Sequence, residues 1–370
     1  MSNSKKTRTP FRTRPPIIDF TQTLLHCGVD PKYYPRILIY YIKLGFFEPF
    51  RLIERLLMAT KYRDFELSAP PVFILGYYRS GTTHLQEVLL QDKRFGFLNF
   101  YTCYFQGGAL VTQRIFKWTF QKIMTFLRFR HPAHNIPFLF DMPGEEDVSM
   151  VSSGFRYACS FGQVFPRSFR EYFTKFVFFE GCTKQEASDF EYEMKDFIKR
   201  IAISNDNKPL LLKSPPQTAR LKWLAERYPG AKFIFIYRNP HLVFRSNLKL
   251  WGTFKGQWLQ SLDPAVAREN VLWSFEKTLQ AYEKDAAGMS KNQLIEVRYE
   301  EFMQSPMTEL KKIYDQLELP GFDEAKPEFE SFLARQHGAN VDRYSFREED
   351  FRVVESRWGY WLRKWNYSRP

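Results

Sequence analysis

Cysteine is scarce in this chain. There are four in 370 residues, Cys27, Cys103, Cys159 and Cys182, and no two form a Cys-x-x-Cys pair. That spacing argues against a structural zinc and against a disulfide scaffold, so reduced thiols in a cytoplasmic protein are expected. There is no run of about 18 uncharged apolar residues, so no bilayer-spanning segment is expected. The N-terminus is basic but continues into Pro and Thr rather than an apolar stretch, which speaks against a signal peptide. No internal repeat and no interior low-complexity tract is present.

Aromatic residues are plentiful instead: 38 Phe, 20 Tyr and 8 Trp, more than a core alone requires. The formal net charge is +13, which favours anionic partners. Five cations (Lys5, Lys6, Arg8, Arg12, Arg14) precede the first acid, Asp19, but the remaining excess is dispersed along the chain. No nucleic-acid reading motif accompanies it, so DNA or RNA is not an expected partner.

Residues 1–16 are polar, basic and proline-rich, and read as a disordered tail. Residues 17–68 read as N-terminal helices. Within them, 35–58 carries apolar residues at helical spacing, either packed on the main domain or lying on a membrane surface. Residues 69–370 form the main domain. Short apolar runs at 70–76, 208–214 and 231–238 read as buried parallel strands, and 292–302 as a fourth. Helices are expected over 188–204 and 218–229. Strands alternating with helices imply a three-layer α/β/α fold around a parallel sheet. The aromatic stretch within 97–205 interrupts the alternation, and reads as a helical insertion over the carboxyl edge of the sheet.

The first strand runs into Val72-Phe-Ile-Leu-Gly-Tyr-Tyr-Arg-Ser-Gly-Thr-Thr-His-Leu85. Gly76 and Gly81 have the spacing of a nucleotide-triphosphate loop, but Thr82 stands where that loop needs lysine. The cation is Arg79, inside the loop. Backbone N–H groups from Ser80 to Thr83, with the hydroxyls of Ser80, Thr82 and Thr83, still make an anion nest at a helix start. A triphosphatase also needs an acid at a neighbouring strand end to hold magnesium. Here the strands end in Lys213 and Arg238, so an anionic ligand is expected to be neutralised without a metal. A second anion site is expected where Arg238 is followed by Asn239-Pro240, with Ser246 about two turns along the helix. Asn247 and Arg245 are secondary candidates.

Together these residues resemble the sulfotransferases that use 3′-phosphoadenosine 5′-phosphosulfate (PAPS). The loop at 77–85 is similar to their 5′-phosphosulfate loop, and the Arg238–Ser246 pair to their 3′-phosphate site. Segments 210–224 and 294–320 are similar to the broad bacterial branch. The resemblance implies that Arg79, Ser80, Gly81, Thr82 and Thr83 hold the 5′ end, and Arg238 and Ser246 the 3′-phosphate. It implies that Lys213 stabilises the transferring group, that Tyr299 approaches the nucleotide, and that His84 takes the place of an aromatic residue near adenine.

Sulfuryl transfer needs a base for the acceptor hydroxyl. The cytosolic branch uses a histidine two residues after the lysine, where this chain has Pro215. Other branches use a glutamate, and Glu145 is favoured here, then Glu146, within an acidic cluster that includes Asp147; the same cluster could instead serve only as a helix cap. His131 and His134 are lesser candidates. The expected acceptor is a small-molecule hydroxyl, probed first as a sterol, phenol or lipid because of the aromatic insertion. A carbohydrate acceptor is the alternative, followed by a kinase with a degenerate loop or a PAP-binding scaffold without activity.

Overall fold

The computed structural model describes residues 15–130, 137–336 and 344–370. Tail residues 1–14, and with them the basic cluster, lie outside the described residues, as do His131 and His134. Four strands, β1 (Val72–Leu75), β2 (Leu211–Lys213), β3 (Lys232–Tyr237) and β4 (Leu294–Arg298), form one parallel sheet in the order β2-β1-β3-β4. The chain goes from β1 to one side and then crosses to the other. The carboxyl ends of β1 and β3 therefore flank the switch point where α/β sheets bind ligands.

Side chains of alternate parity point to opposite faces of the sheet. Phe73, Leu75, Phe233 and Phe235 enter one core, while Val72, Ile74, Ile234 and Ile236 enter the other. The first core takes up much of the aromatic excess. Phe235 stacks on Tyr282 and Phe275 on Trp358, each with ring centroids 3.8 Å apart.

Before the sheet come α1 (Pro16–Cys27) and α2 (Tyr34–Ala59); α3 (Thr82–Leu89) follows the first glycine loop. The long excursion between β1 and β2 holds α4 (Phe100–Phe105), α5 (Ala109–Phe126), α6 (Glu146–Ser152), α7 (Phe161–Val164), α8 (Phe169–Phe176) and α9 (Lys184–Ser204). A capping box between Thr183 and Glu186 starts α9 four residues before the apolar pattern indicates. After β2, Pro215–Arg220 winds as a 3₁₀ helix, and only Leu221–Arg227 (α10) is α-helical. Pro215 and Pro216 remove two N–H donors, so the helix expected at 218–229 is shorter and begins differently. Then follow α11 (Pro240–Phe254), α12 (Pro264–Ala286), α13 (Tyr299–Gln304), α14 (Pro306–Leu317), α15 (Phe322–Gln336) and α16 (Glu348–Lys364). The strand expected over 292–302 ends at Arg298, and Tyr299 opens α13. Among the described residues no helix is long and apolar enough to cross a membrane.

One buried network fastens the insertion to the sheet. Asp147, in the first turn of α6, accepts from Arg220 at 3.1 Å on both carboxylate oxygens. Ser214 Oγ and Cys159 Sγ donate to the same carboxylate, each at 2.9 Å. Arg220 also donates to the Phe176 carbonyl from Nε at 3.0 Å. Both charged side chains are withdrawn from solvent, at 0% and 1% exposure. Beside them Glu146 is fully buried, and its Oε1 accepts the Lys213 backbone N–H at 3.0 Å. Burial, and then the neighbouring Asp147 charge, push the Glu146 carboxyl up to about 8.

Two stability measurements follow from this network. Asp147→Asn strands a buried guanidinium and should cost about 3–5 kcal/mol in urea unfolding; a loss near zero would mean that the clamp carries no load. A carboxyl raised in the folded state stabilises below its ordinary range and loses that contribution as pH climbs through its folded value. Stability should therefore decline from pH ~4.5 towards ~8, and Glu146→Gln, which keeps the acceptor for Lys213, should flatten that slope. An identical slope in the variant would refute the assignment. Some slope should survive, because burial also raises the Glu54 carboxyl, to about 7.

Candidate active site

The loop from β1 to α3 is tightly determined. Gly76 has φ +150°, and a Cβ there would lie 2.6 Å from the Ile236 carbonyl oxygen. Gly81 has φ +103°, and a Cβ would sit 2.2 Å from the Tyr299 ring. Only glycine fits either position. Arg79 itself adopts a left-handed φ of +68°, which a long side chain seldom does. Two residues outside the loop hold it. Gly76 N–H donates to Thr218 Oγ1 at 2.8 Å, and the Thr218 hydroxyl donates back to the Gly76 carbonyl at 3.1 Å. Asn247 Nδ2 donates to the Tyr78 carbonyl at 2.9 Å.

The residues expected of two separate anion sites meet here. Arg79 Nε donates to Ser246 Oγ at 2.8 Å, and the Tyr344 hydroxyl lies 2.9 Å from the same oxygen. Arg238, just beyond β3, places its guanidinium 4.5 Å from the Tyr299 ring centroid, while Gly81 packs against that ring. Ser80 Oγ and Arg238 Nε are buried and have no hydrogen-bond partner among the described residues. Buried donors of this kind are costly unless something accepts from them. Thr82 is buried and Thr83 half-buried at the start of α3. His84 packs edge-on against Phe302 at 5.7 Å, and burial lowers its pKa.

Lys213 ends β2 with an ammonium only 3% exposed. It donates to Glu145 Oε1 at 2.5 Å and to Thr83 Oγ1 at 3.4 Å, joining the insertion to the glycine loop. Glu145 stands at the start of α6 with its side chain 28% exposed, whereas Glu146 points inward under the Lys213 backbone. Asp147 is committed to Arg220. Of the acidic cluster, then, Glu145 alone presents a carboxylate to the edge of the site. Glu87, one turn after Thr83, faces the same ammonium; burial raises its pKa and Lys213 opposes the rise.

Several of these residues are not singled out by the sequence. The Thr83–Glu87 spacing of four was a usable signal for Glu87. Thr218 and Tyr344 carry none, since each arrives from a distant part of the chain. Arg245 turns away to Asp350, at 3.3 Å. Among the described residues no group of three or more His, Cys, Asp or Glu is arranged to hold a metal ion. Two shallow clefts open beside α2, and neither includes the glycine loop in its walls.

Comparison with known proteins agrees with this geometry. Residues 70–324 match the model of the sulfotransferase family. The chain is 24% identical over 320 residues to the omega-hydroxy-beta-dihydromenaquinone-9 sulfotransferase Stf3 of Mycobacterium bovis and of Mycobacterium tuberculosis, covering 86% of this chain and 80% of theirs. Its fold is like that of sulfotransferase STF9 from Mycobacterium avium, with a TM-score of 0.71 at 15% identity, covering 97% of this chain and 99% of that one. Sulfotransferase STF1 from Mycobacterium tuberculosis gives a TM-score of 0.63 at 16% identity, covering 92% and 97%. The family match spans well over half of the chain and contains the glycine loop, Lys213, Arg238 and Ser246: this protein belongs to the sulfotransferase family.

Proposed function

We propose that the protein moves the sulfuryl group of PAPS onto a hydroxyl of a lipophilic small molecule, with Glu145 as the base. The observation that carries this reading is the junction of Lys213, Thr83 and Glu145, where a buried ammonium joins the anion loop to the one outward carboxylate of α6. The residues fit a nucleotide with a phosphate at each end. Arg79, Ser80, Gly81, Thr82 and Thr83 would hold the 5′ end, Arg238 and Ser246 the 3′-phosphate, and Tyr299 and His84 would flank the nucleotide. When bound, PAPS supplies a sulfuryl group whose bond to the 5′-phosphate oxygen breaks as the acceptor oxygen bonds to sulfur.

The chain's own part is orientation and charge. Glu145 takes the acceptor proton, and Lys213 aims that carboxylate at the loop while opposing negative charge that builds there. The histidine of the cytosolic branch is replaced by Pro215, whose ring has no proton to move. Glu146 positions Lys213 through its backbone and does not reach the acceptor.

Two observations favour a lipophilic acceptor. Phe100, Tyr101, Phe138 and Phe140 form an aromatic cluster of their own, and Gly144, next to Glu145, packs against Phe100. The relatives 24% identical to this chain are named for a hydroxylated menaquinone. Contact of residues 35–58 with a membrane surface belongs to the same reading, because such an acceptor resides in lipid.

PAP should raise the thermal midpoint without added metal, more than ATP–magnesium does, and Arg238→Ala should abolish that shift. A shift that survives the substitution would sink the 3′-phosphate assignment. Glu145→Gln should lower turnover by about 10²–10⁴-fold while PAP still stabilises the variant; near-normal turnover would move the base elsewhere, Glu87 first. Assayed with PAPS against sterols, phenols, lipids and sugars, the protein should sulfate a member of the first three classes, and sulfation of sugars alone would overturn the acceptor class.

A further inference from the structure

The polarity of α2 is reversed relative to an ordinary surface helix, whose charged side chains face water. Its charges turn inward. Lys43 Nζ donates to the Ser152 carbonyl at 3.0 Å, and Arg51 is 8% exposed and paired with Glu48. Glu54 is fully buried, accepting from Leu110 N–H at 2.8 Å and pairing with Arg200 at 2.9 Å. The outward stripe is apolar: Leu38, Ile39, Ile42, Phe46 and Leu56 are each half exposed or more, Ile39 at 67%.

α5 lies alongside and extends this surface. Phe116 of α5 meets Phe50 at 5.5 Å and Phe46 at 6.0 Å, so the two outer faces are continuous. On α5 the rings of Trp118 and Phe126 are 66% and 86% exposed. Residues 109–130 contain Arg114, Lys117, Lys122, Arg128 and Arg130 and no acid. Lys117 pairs with Asp141, and the Lys122 ammonium lies 3.6 Å from the Trp118 ring. Exposed aromatic rings interleaved with cations on long stems suit a lipid headgroup boundary, where the ring enters and the charge stays with phosphate.

We propose that the joined outer faces of α2 and α5 dock the protein on an anionic lipid bilayer. Charge decides against a second copy as the occupant. The chain carries +13, and a self-complementary contact here would bring the two sets of α5 cations together. An anionic leaflet answers the same cations favourably. The face also adjoins the active site. Beneath α2 lies a cleft walled by Lys43, Phe47 and Tyr104, and Cys103, next to Tyr104, donates its thiol to the Glu145 carbonyl at 3.6 Å. If the lipophilic-acceptor reading holds, which this last step rests on, a lipid alcohol reaches Glu145 from the bilayer without crossing water.

The test is co-sedimentation of the full chain with vesicles. Binding to an equal mixture of phosphatidylglycerol and phosphatidylcholine should exceed binding to phosphatidylcholine alone by at least about tenfold, and should weaken with salt. The double variant Ile39→Gln/Phe126→Gln should lose most of that binding, and so should Lys122→Gln/Arg128→Gln. Both should keep the wild-type PAP thermal shift, which excludes unfolding as the cause. Equal binding to both vesicle types, or variants that bind like wild type, would overturn the proposal. So would a wild-type dimer in light scattering that Ile39→Gln/Phe126→Gln converts to monomer, since a second copy would then cover the face. Docking with no sulfation of any sterol, phenol or lipid would leave the surface assignment standing and remove the acceptor reading.

Discussion

The carboxylate of Asp147 joins two stretches of chain that sequence separates by more than sixty residues. Without it, α6 would be a short helix in a long excursion, tied to Lys213 by Glu145 and Glu146 but not to Ser214 and Arg220 beyond the strand. Arg220, Ser214 and Cys159 converge on that carboxylate from the sheet side and from the segment after α6. A buried pair of this kind is seldom a net source of stability, because desolvation offsets much of the attraction. Its value here is registry. Glu146 is set under the Lys213 backbone, and Glu145 is left facing the Lys213 ammonium. A shift of one residue along α6 would bury Glu145 and expose Asp147.

The glycine loop depends on a different constraint, close approach. Gly76 and Gly81 let the loop lie against Ile236 and Tyr299, and Tyr299 in turn seats Arg238. The left-handed Arg79 is the cost of bringing a cation from inside the loop across to Ser246. Thr218 and Asn247 hold the loop from neighbouring elements, so the strain is fixed by its surroundings rather than by the loop's own sequence. Arg79, Arg238 and Lys213 come from three successive strand ends, which is why this edge of the sheet is cationic throughout.

Much of this was legible in advance. Three apolar runs with glycine or proline punctuation placed β1, β2 and β3, and the residues expected of the two anion sites, Gly76-to-Thr83, Arg238 and Ser246, gather at one edge of the sheet. The parts that could not be read are those set by tertiary contact. Nothing local distinguishes Glu145 from Glu146 or Asp147, because all three are acids at a helix start; burial by Lys213 and Arg220 separates them. Tyr344 comes to Ser246 from 98 residues downstream and follows no motif. Local chemistry misplaced boundaries: the missing donors of Pro215-Pro216 wind the chain there as 3₁₀, the Thr183–Glu186 box starts α9 early, and Tyr299 ends the fourth strand by opening α13.

The aromatic abundance and α2 raise the same issue, since hydrophobic periodicity tells which face of an element is apolar but not what covers it. For the first core the answer is other rings, with Phe275 on Trp358 and Phe235 on Tyr282. For α2 the charges answer instead. In a helix bathed by water on its outer side, Lys43, Arg51 and Glu54 would mark the solvent, yet each is spent on an internal partner. Burying Lys43 is costly: burial, opposed by Cys103, brings its ammonium down to about 8. A helix that turns its charges inward and its Leu and Ile outward is stable only if its inner contacts are strong, and its outer face, with Leu38, Ile39, Ile42, Phe46 and Leu56 exposed, is largely apolar. The same inversion brings the Lys43 ammonium to the Ser152 carbonyl in the last turn of α6, at the negative end of that helix. One helix thus braces the far end of α6 and leaves its apolar side facing out.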